Sequence, residues 1–397
     1  MPVSGIQGLR GTGTFSTDFR PTNYREMFTL LEPNGDAPLN ALLSMTSSES
    51  SDDPKFSNFR DELPERVMQI NGAITSTAGT VQTLTLDSST ENLFAIAGSI
   101  LVNATSGEVM HVTTTATATS VAVKRNIGGT SHAILDNAKL YVAGFAAAEG
   151  ADTPEPISFD SVVAFNITQI FRTAFSVTRT LKNSHLRTGD KETESMEKAL
   201  KLHMSDIERA MLFGVKHTEN PTTSTPTRFT GGVTNEITGV YNVAAGEINA
   251  VNSTMTEKEF DNFLIETVFA YGSKEKIFFC GAKIAGHLQA IGKNRWSPTQ
   301  VEGSYGVNFV RYQTFAGDLL VHVHPQFRQI PSMNNAAIIL DFPFLKYRYL
   351  DSSDTQILMD RQGNGEDRKK HEYLTECGLE LTQDKVHQYI KGWTTLG

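Results

Sequence analysis

Cysteine is nearly absent from this sequence: Cys280 and Cys377 are the two in 397 residues. That excludes a disulfide framework and suits a reducing compartment. No apolar run approaches the roughly 18 residues that a membrane helix needs. The amino-terminal MPVSGIQGLRGTGTF also lacks the basic-then-apolar order of a secretion signal. The expectation is a soluble protein, intracellular when made, with no membrane partner. A basic excess is missing too. The formal charge of -9 and pI near 5.6 argue against a large exposed nucleic-acid surface, leaving at most a local patch for DNA.

Motifs that carry chemistry are equally sparse. There is no Gly-X-Ser-X-Gly elbow, and neither cysteine has a histidine close by in sequence. Cys280, in Ile-Phe-Phe-Cys, reads as a small buried hydrophobe. His322 and His324 share a strand face, as two metal ligands would, but no Cys, Asp or Glu accompanies them at ligand spacing. The glycine-rich Gly8–Thr14 has neither the strand before it nor the helix after it that a phosphate cradle requires. Arg368, Lys369, Lys370 and His371 are flanked by Glu366, Asp367 and Glu372, which describes a solvated charged loop. No catalytic, cofactor-binding or metal-binding residue is named, and the chain is read as no enzyme.

What the sequence does contain is a long helix. From Asp190 to His217, Met196, Leu200, His203, Met204, Ile207, Met211 and Gly214 recur at spacings of three and four, one stripe of a 3.6-residue period. Glu194 precedes Lys198, and Glu197 precedes Lys201, in the favourable i,i+4 order on the other face. Thr188, Gly189 and Asp190 supply the start, and Gly214 followed by Asn220-Pro221 the stop. At ~1.5 Å per residue the helix is about 40 Å long, a strut on which a flat protein is laid out.

Around it, 397 residues exceed what one core organises, so two or three units are expected. Residues 1–55 form an arm in which Phe15, Phe19, Tyr24, Met27 and Phe28 follow no period; they pack either on this chain's own body or on a neighbouring subunit. A short helix capped by Asp36 runs to Met45. From 56 to 165 the period becomes two. Strands Val81–Leu86, Ser99–Val102, Glu108–Thr113, Ser120–Lys124 and Lys139–Val142 make a Thr- and Ala-rich β-subdomain with a thin core, between two extended flanks. Pro154 and Pro156 keep the second flank from being helical. Residues 221–235 are a linker by composition. A compact α/β unit follows, with a helix from Thr256, a buried strand at Lys276–Cys280, a helix at Ala282–Ile291 and three further strands ending near Asp341. The last sixty residues are mostly strand, and there is no internal repeat.

This order of segments resembles the major capsid proteins of tailed bacteriophages with the Hong Kong 97-type fold, over nearly the whole chain. The stretches that carry the resemblance are Asn-Ile-Thr-Gln-Ile-Phe (Asn166–Phe171), Asp-Ile-Glu-Arg-Ala-Met-Leu-Phe-Gly (Asp206–Gly214) and Val-Lys-Arg-Asn-Ile-Gly-Gly-Thr (Val123–Thr130). They look like signatures of a subgroup with a β-rich insertion in the E-loop. That subgroup often shows Gly where Asn126 stands, and Asn is the commonest substitute where left-handed backbone is needed.

The resemblance implies an α+β fold: an amino-terminal arm (1–55), an E-loop (56–165) with a β-subdomain inserted at about 73–148, a peripheral domain (166–235) including the spine helix 190–217, an axial domain (236–340), and peripheral carboxy-terminal strands (341–397). It implies a protein that self-assembles as hexamers and pentamers into an icosahedral head around double-stranded DNA, touched only weakly. A separate scaffold protein, a portal and a possible decoration protein are the implied partners, in a virion assembled in the host cytoplasm. Phe15, Phe19, Tyr24, Phe28, Arg125 and Arg187 are the candidate inter-subunit contacts. Some relatives cross-link neighbours through Lys and Asn, and no position here matches. A tail or decoration component is the alternative, and an enzyme centred on Cys280 and His287 a third reading.

Overall fold

The computed structural model describes residues 37–44, 48–63, 65–75, 81–129, 131–154, 156–184, 189–245, 253–292, 300–301 and 309–397. The class is α+β, as expected. By its own contacts the chain divides into Phe59–Val162 and the residues on either side of it.

The larger unit is built on the helix Lys191–Phe213. The Asp190 carboxylate accepts from the Glu192 and Thr193 N–H groups, and Glu192 and Glu194 place negative charge in the first turn, where the helix dipole favours it. The buried seam is Ala199, His203, Ile207 and Met211, with Ser205, Glu208 and Leu212 beside it. Leu200, assigned to the stripe by spacing, is exposed, and small Ala199 takes that place. The helix ends at Phe213, four residues before His217, with Gly214 as its C-cap, where the carbonyl oxygens of Ala210 and Thr230 leave no room for a Cβ. The backbone that crowds it belongs to the supposed linker. Residues 217–236 hold a hairpin of His217–Glu219 with Thr227–Phe229 and a short helix, Val233–Glu236. Strands of three residues are too short to leave a period in the sequence.

The helix lies on a five-stranded sheet. Gln169–Thr178 pairs antiparallel with Arg368–Leu381, which also carries Leu345–Leu350 and Gln356–Leu358; Glu49–Ser51 adds on in parallel. A seven-stranded sheet runs in the order Gly239–Asn242, Gln388–Lys391, Ala337–Leu340, Glu275–Cys280, Asp318–Val323, Phe309–Gln313 and Gln300–Val301. Its central strands are apolar on both faces because both faces are covered. Ile277, Phe279, Ile338 and Leu340 join one core with Ile207, Met211 and Leu212, whereas Phe278, Cys280 and Ile339 join another with Phe260, Leu288 and Trp393. The helix Glu257–Phe263 opens with the expected capping box of Thr256 and Glu259. One assignment is corrected: Gln388–Lys391 sits between strands of this second sheet and not with the peripheral strands. Strand partners are long-range choices that local pattern does not encode.

The smaller unit is a six-stranded antiparallel sheet in the order Val67–Gln69, Lys139–Phe145, Ser99–Asn103, Val109–Thr117, Ser120–Lys124 and Val81–Thr85. Its two edges also meet. Ile70 bridges Leu86, Asn71 N donates to Thr85 O, and Asp87 N donates to Gln69 O. The sheet thereby closes at one end into a small barrel filled by Met68, Leu84, Leu101, Met110, Val112 and Leu140 among others.

The helix Pro38–Leu43 has no cap from its own neighbourhood: Ala37 offers no side-chain hydrogen bond, and Asp36 lies outside the described residues. Its first-turn donors are met from 168 residues away, where Glu208 accepts Asn40 N at 2.9 Å and Leu39 N at 3.0 Å. Glu208 also accepts from His324 Nε2 at 2.7 Å, with both side chains fully buried. Glu208→Ala leaves two buried donors and one half-buried donor without an acceptor, so a loss of about 3–5 kcal/mol is expected in denaturant unfolding. Glu208→Gln, which keeps one acceptor oxygen, should lose less.

Candidate functional site

Three polar seats fix the long helix on its supports. At its start, Glu192 meets His371 Nε2 at 3.1 Å, and the other ring nitrogen accepts Asp360 N at 3.1 Å. At its middle, His203 lies between the hydroxyls of Thr173 (3.0 Å) and Thr375 (2.8 Å), one from each long strand. Towards its end, Glu208 holds His324, whose Nδ1 accepts Gln326 N at 3.2 Å. In the first and last seats one ring nitrogen accepts a backbone N–H, so the other carries the proton and donates to the glutamate. His324 is stacked on Phe327 and is no metal ligand, while His322 faces the rings of Phe279 and Phe309. Among the described residues no group of three His, Cys, Asp or Glu could hold a metal ion.

Arg368, Lys369, Lys370 and His371, expected in a solvated charged loop, instead open the strand Arg368–Leu381, and His371 is buried. Arg368 pairs with Glu366, Lys369 with Asp360, and Arg179 with Asp367. Both cysteines are buried, and burial pushes each thiol up to about 12, so neither is a nucleophile at neutral pH. Lys276 was not anticipated. Its ammonium is fully buried and donates to the carbonyls of Val268, Tyr271 and Val386 at 2.7–2.8 Å, with Asp341 at 3.9 Å. Burial pulls its pKa down to about 8, which still leaves it charged at pH 7.

Arg125 is corrected. It was expected at a subunit contact, but it is 0% exposed inside the barrel, and each of its five N–H donors has a local acceptor. Nε and Nη2 grip Glu108 at 2.9 and 2.5 Å, Nη1 reaches Thr75 O and Gln82, and Nη2 also meets His132 O. Asn126 beside it has φ +59°, the left-handed backbone anticipated from its sequence. Phe15, Phe19, Tyr24, Phe28 and Arg187 lie outside the described residues.

What the described surface does offer is unburied apolar chain. Val162 and Val163 are consecutive on the strand Val162–Ile167, so they point to opposite faces, yet they are 68% and 55% exposed. Phe59, on the strand Lys55–Arg60 paired with it, is 76% exposed.

A family model for SU10 major capsid proteins matches residues 11–394. The chain belongs to that family. It is a major capsid protein of a phage, a component of the virion, and a tail or decoration role is not favoured. The major capsid protein of Pseudomonas phage PaMx41 is 28% identical over 349 residues, spanning 85% of this chain and 80% of that one. Solved structures similar to it include the capsid of a native GTA particle (9% identity, TM-score 0.45, 96% and 97% of the two chains). A Microbacterium phage Oxtober96 structure is another (12% identity, TM-score 0.41, 96% and 97%).

Three measurements bear on the buried polar groups of this capsid protein. Burial is the main cause that lowers the pKa of His203 below its ordinary 6.5. The unfolded chain therefore takes up a proton that the folded one refuses, and stability should fall as pH drops through about 6.5. His203→Gln should flatten that part of the pH–melting profile. Lys276→Met removes the donor from three buried carbonyls and the countercharge from Asp341, so a loss of about 3 kcal/mol is expected. In the wild type, stability should rise between pH 8 and 10.5, where the unfolded lysine still holds its proton.

Proposed function

We propose that this major capsid protein is the wall subunit of an icosahedral head shell on the Hong Kong 97-type plan, with hexamers and pentamers of one chain enclosing double-stranded DNA. Family membership supports the shell. The observation that carries self-assembly is the pair Val162 and Val163, exposed to opposite sides of one strand. Among the described residues nothing covers both faces, and a neighbour in a lattice does. In this reading the Phe59–Val162 unit is the E-loop together with its inserted β-subdomain, the helix Lys191–Phe213 the spine, and the seven-stranded sheet the axial domain. Phe15, Phe19, Tyr24, Phe28 and Arg187 contact neighbouring subunits. The net charge of -9 keeps wall-to-DNA contact weak, so that packaging and release are not opposed. A separate scaffold protein, a portal and a possible decoration protein complete the particle, assembled in the host cytoplasm, and the chain carries no catalytic activity of its own.

The test is expression with the phage's assembly partners, followed by sedimentation and electron microscopy, which should show polyhedral shells. In the double variant Val162→Asp, Val163→Asp the melting temperature should stay near wild type while shell yield falls at least tenfold. Wild-type yield from this variant would overturn the reading.

A further inference from the structure

The barrel unit carries one feature that its own fold does not use. Strand alternation sends Met68, Leu140, Leu101 and Met110 inward, and the register sends their neighbours outward as a single rung. Val67 pairs with Tyr141, Tyr141 with Val102, and Val102 with Val109. Ile127 then follows, its N–H donating to Val109 O at 3.1 Å. Tyr141 and Ile127 are 43% and 44% exposed, and Val67, Val102 and Val109 are partly exposed. On one side the next rung is Gln69 opposite Lys139; on the other, His111 lies between Ile100 and Lys124, and Lys124 pairs with Val81. An outward row on a solvated antiparallel sheet is expected to be polar, as Gln69 and Lys139 are. This one is apolar across four adjacent strands, about 15 Å at ~4.8 Å per strand.

We propose that this stripe is a contact between two copies of the barrel unit across a local twofold axis of the shell, each stripe lying on the other. The inference rests on the shell reading. A linear apolar rung is its own complement: a twofold axis between Tyr141 and Val102 sets Tyr141 against the partner copy's stripe centre and brings the two ends together, apolar on apolar. Area argues for a contact made only in the lattice. Five partly exposed side chains offer on the order of 300 Å², well short of the ~800 Å² per partner of a stable complex. Free subunits therefore stay apart through this surface, and the contact forms where other interfaces already hold the copies together.

The test uses Tyr141→Cys and, separately, Val102→Cys in the full chain, treated with a short bismaleimide that spans the ~10 Å between packed sheets. Background is low because Cys280 and Cys377 are buried. Covalent homodimers are expected from assembled shells, and monomers from unassembled subunits at equal concentration. A Val67→Cys variant, far from the axis, should cross-link at least fivefold less. Shells that form normally and yield no dimer from either central cysteine would overturn the proposal, as would capture of a different polypeptide or equal cross-linking of free subunits. Failure of the wild-type chain to form shells would instead sink the shell reading.

Discussion

A buried carboxylate must be surrounded by donors, and that requirement at Glu208 sets much of the larger unit. Its oxygens take two backbone N–H groups of the helix Pro38–Leu43 and the Nε2 proton of His324. A helix of six residues is too short to persist in water unaided, so its place depends on this acceptor and on Leu39, Leu42 and Leu43 packing beside it. The same carboxylate orients His324, which opens the turn after the strand Asp318–Val323 by accepting from Gln326 N. One side chain thus ties the entry of the chain, its longest helix and its larger sheet into a common core.

The other seats follow the same logic. His203 touches one hydroxyl on each of the two long paired strands, so the helix is registered on the sheet and cannot slide by a turn without losing both bonds. Lys276 closes the second core with three carbonyls in place of a solvent shell. These buried polar contacts add positional definition more than net stability, since desolvation cancels much of their attraction. Definition is what a capsid subunit needs, because small errors in one copy accumulate over many. The barrel has its own version in Arg125 and Glu108, which hold the loop after Ser120–Lys124 by the backbone of Thr75 and His132.

Much of the secondary structure was legible. The strand Ser120–Lys124, the capping box at Thr256 and the buried strand ending at Cys280 follow from periodicity and cap chemistry, which act within a few residues. The departures share a cause. The Pro221–Asn235 stretch hid a hairpin whose strands pair too briefly to leave a pattern, and Gln388–Lys391 chose its sheet by two distant partners, Gly239–Asn242 and Ala337–Leu340. Arg125 was misplaced because a charged residue in a turn-rich motif reads as surface until its acceptor, Glu108, is seen in front of it. No spacing rule pairs Glu208 with His324.

The sequence by itself determined the α+β class, the long helix with its cap at Asp190, a β-rich segment nested between extended flanks, and a family resemblance strong enough to imply a coat protein. Those features rest on interactions between residues close in the chain, where composition and period are a sufficient record. The tertiary structure alone decided that the β-segment closes into a barrel, that Arg125 faces inward, and that Val67, Tyr141, Val102 and Val109 align on one rung. Strand register and the burial of charge depend on which distant segments meet, and that choice is settled by the free energy of the whole fold.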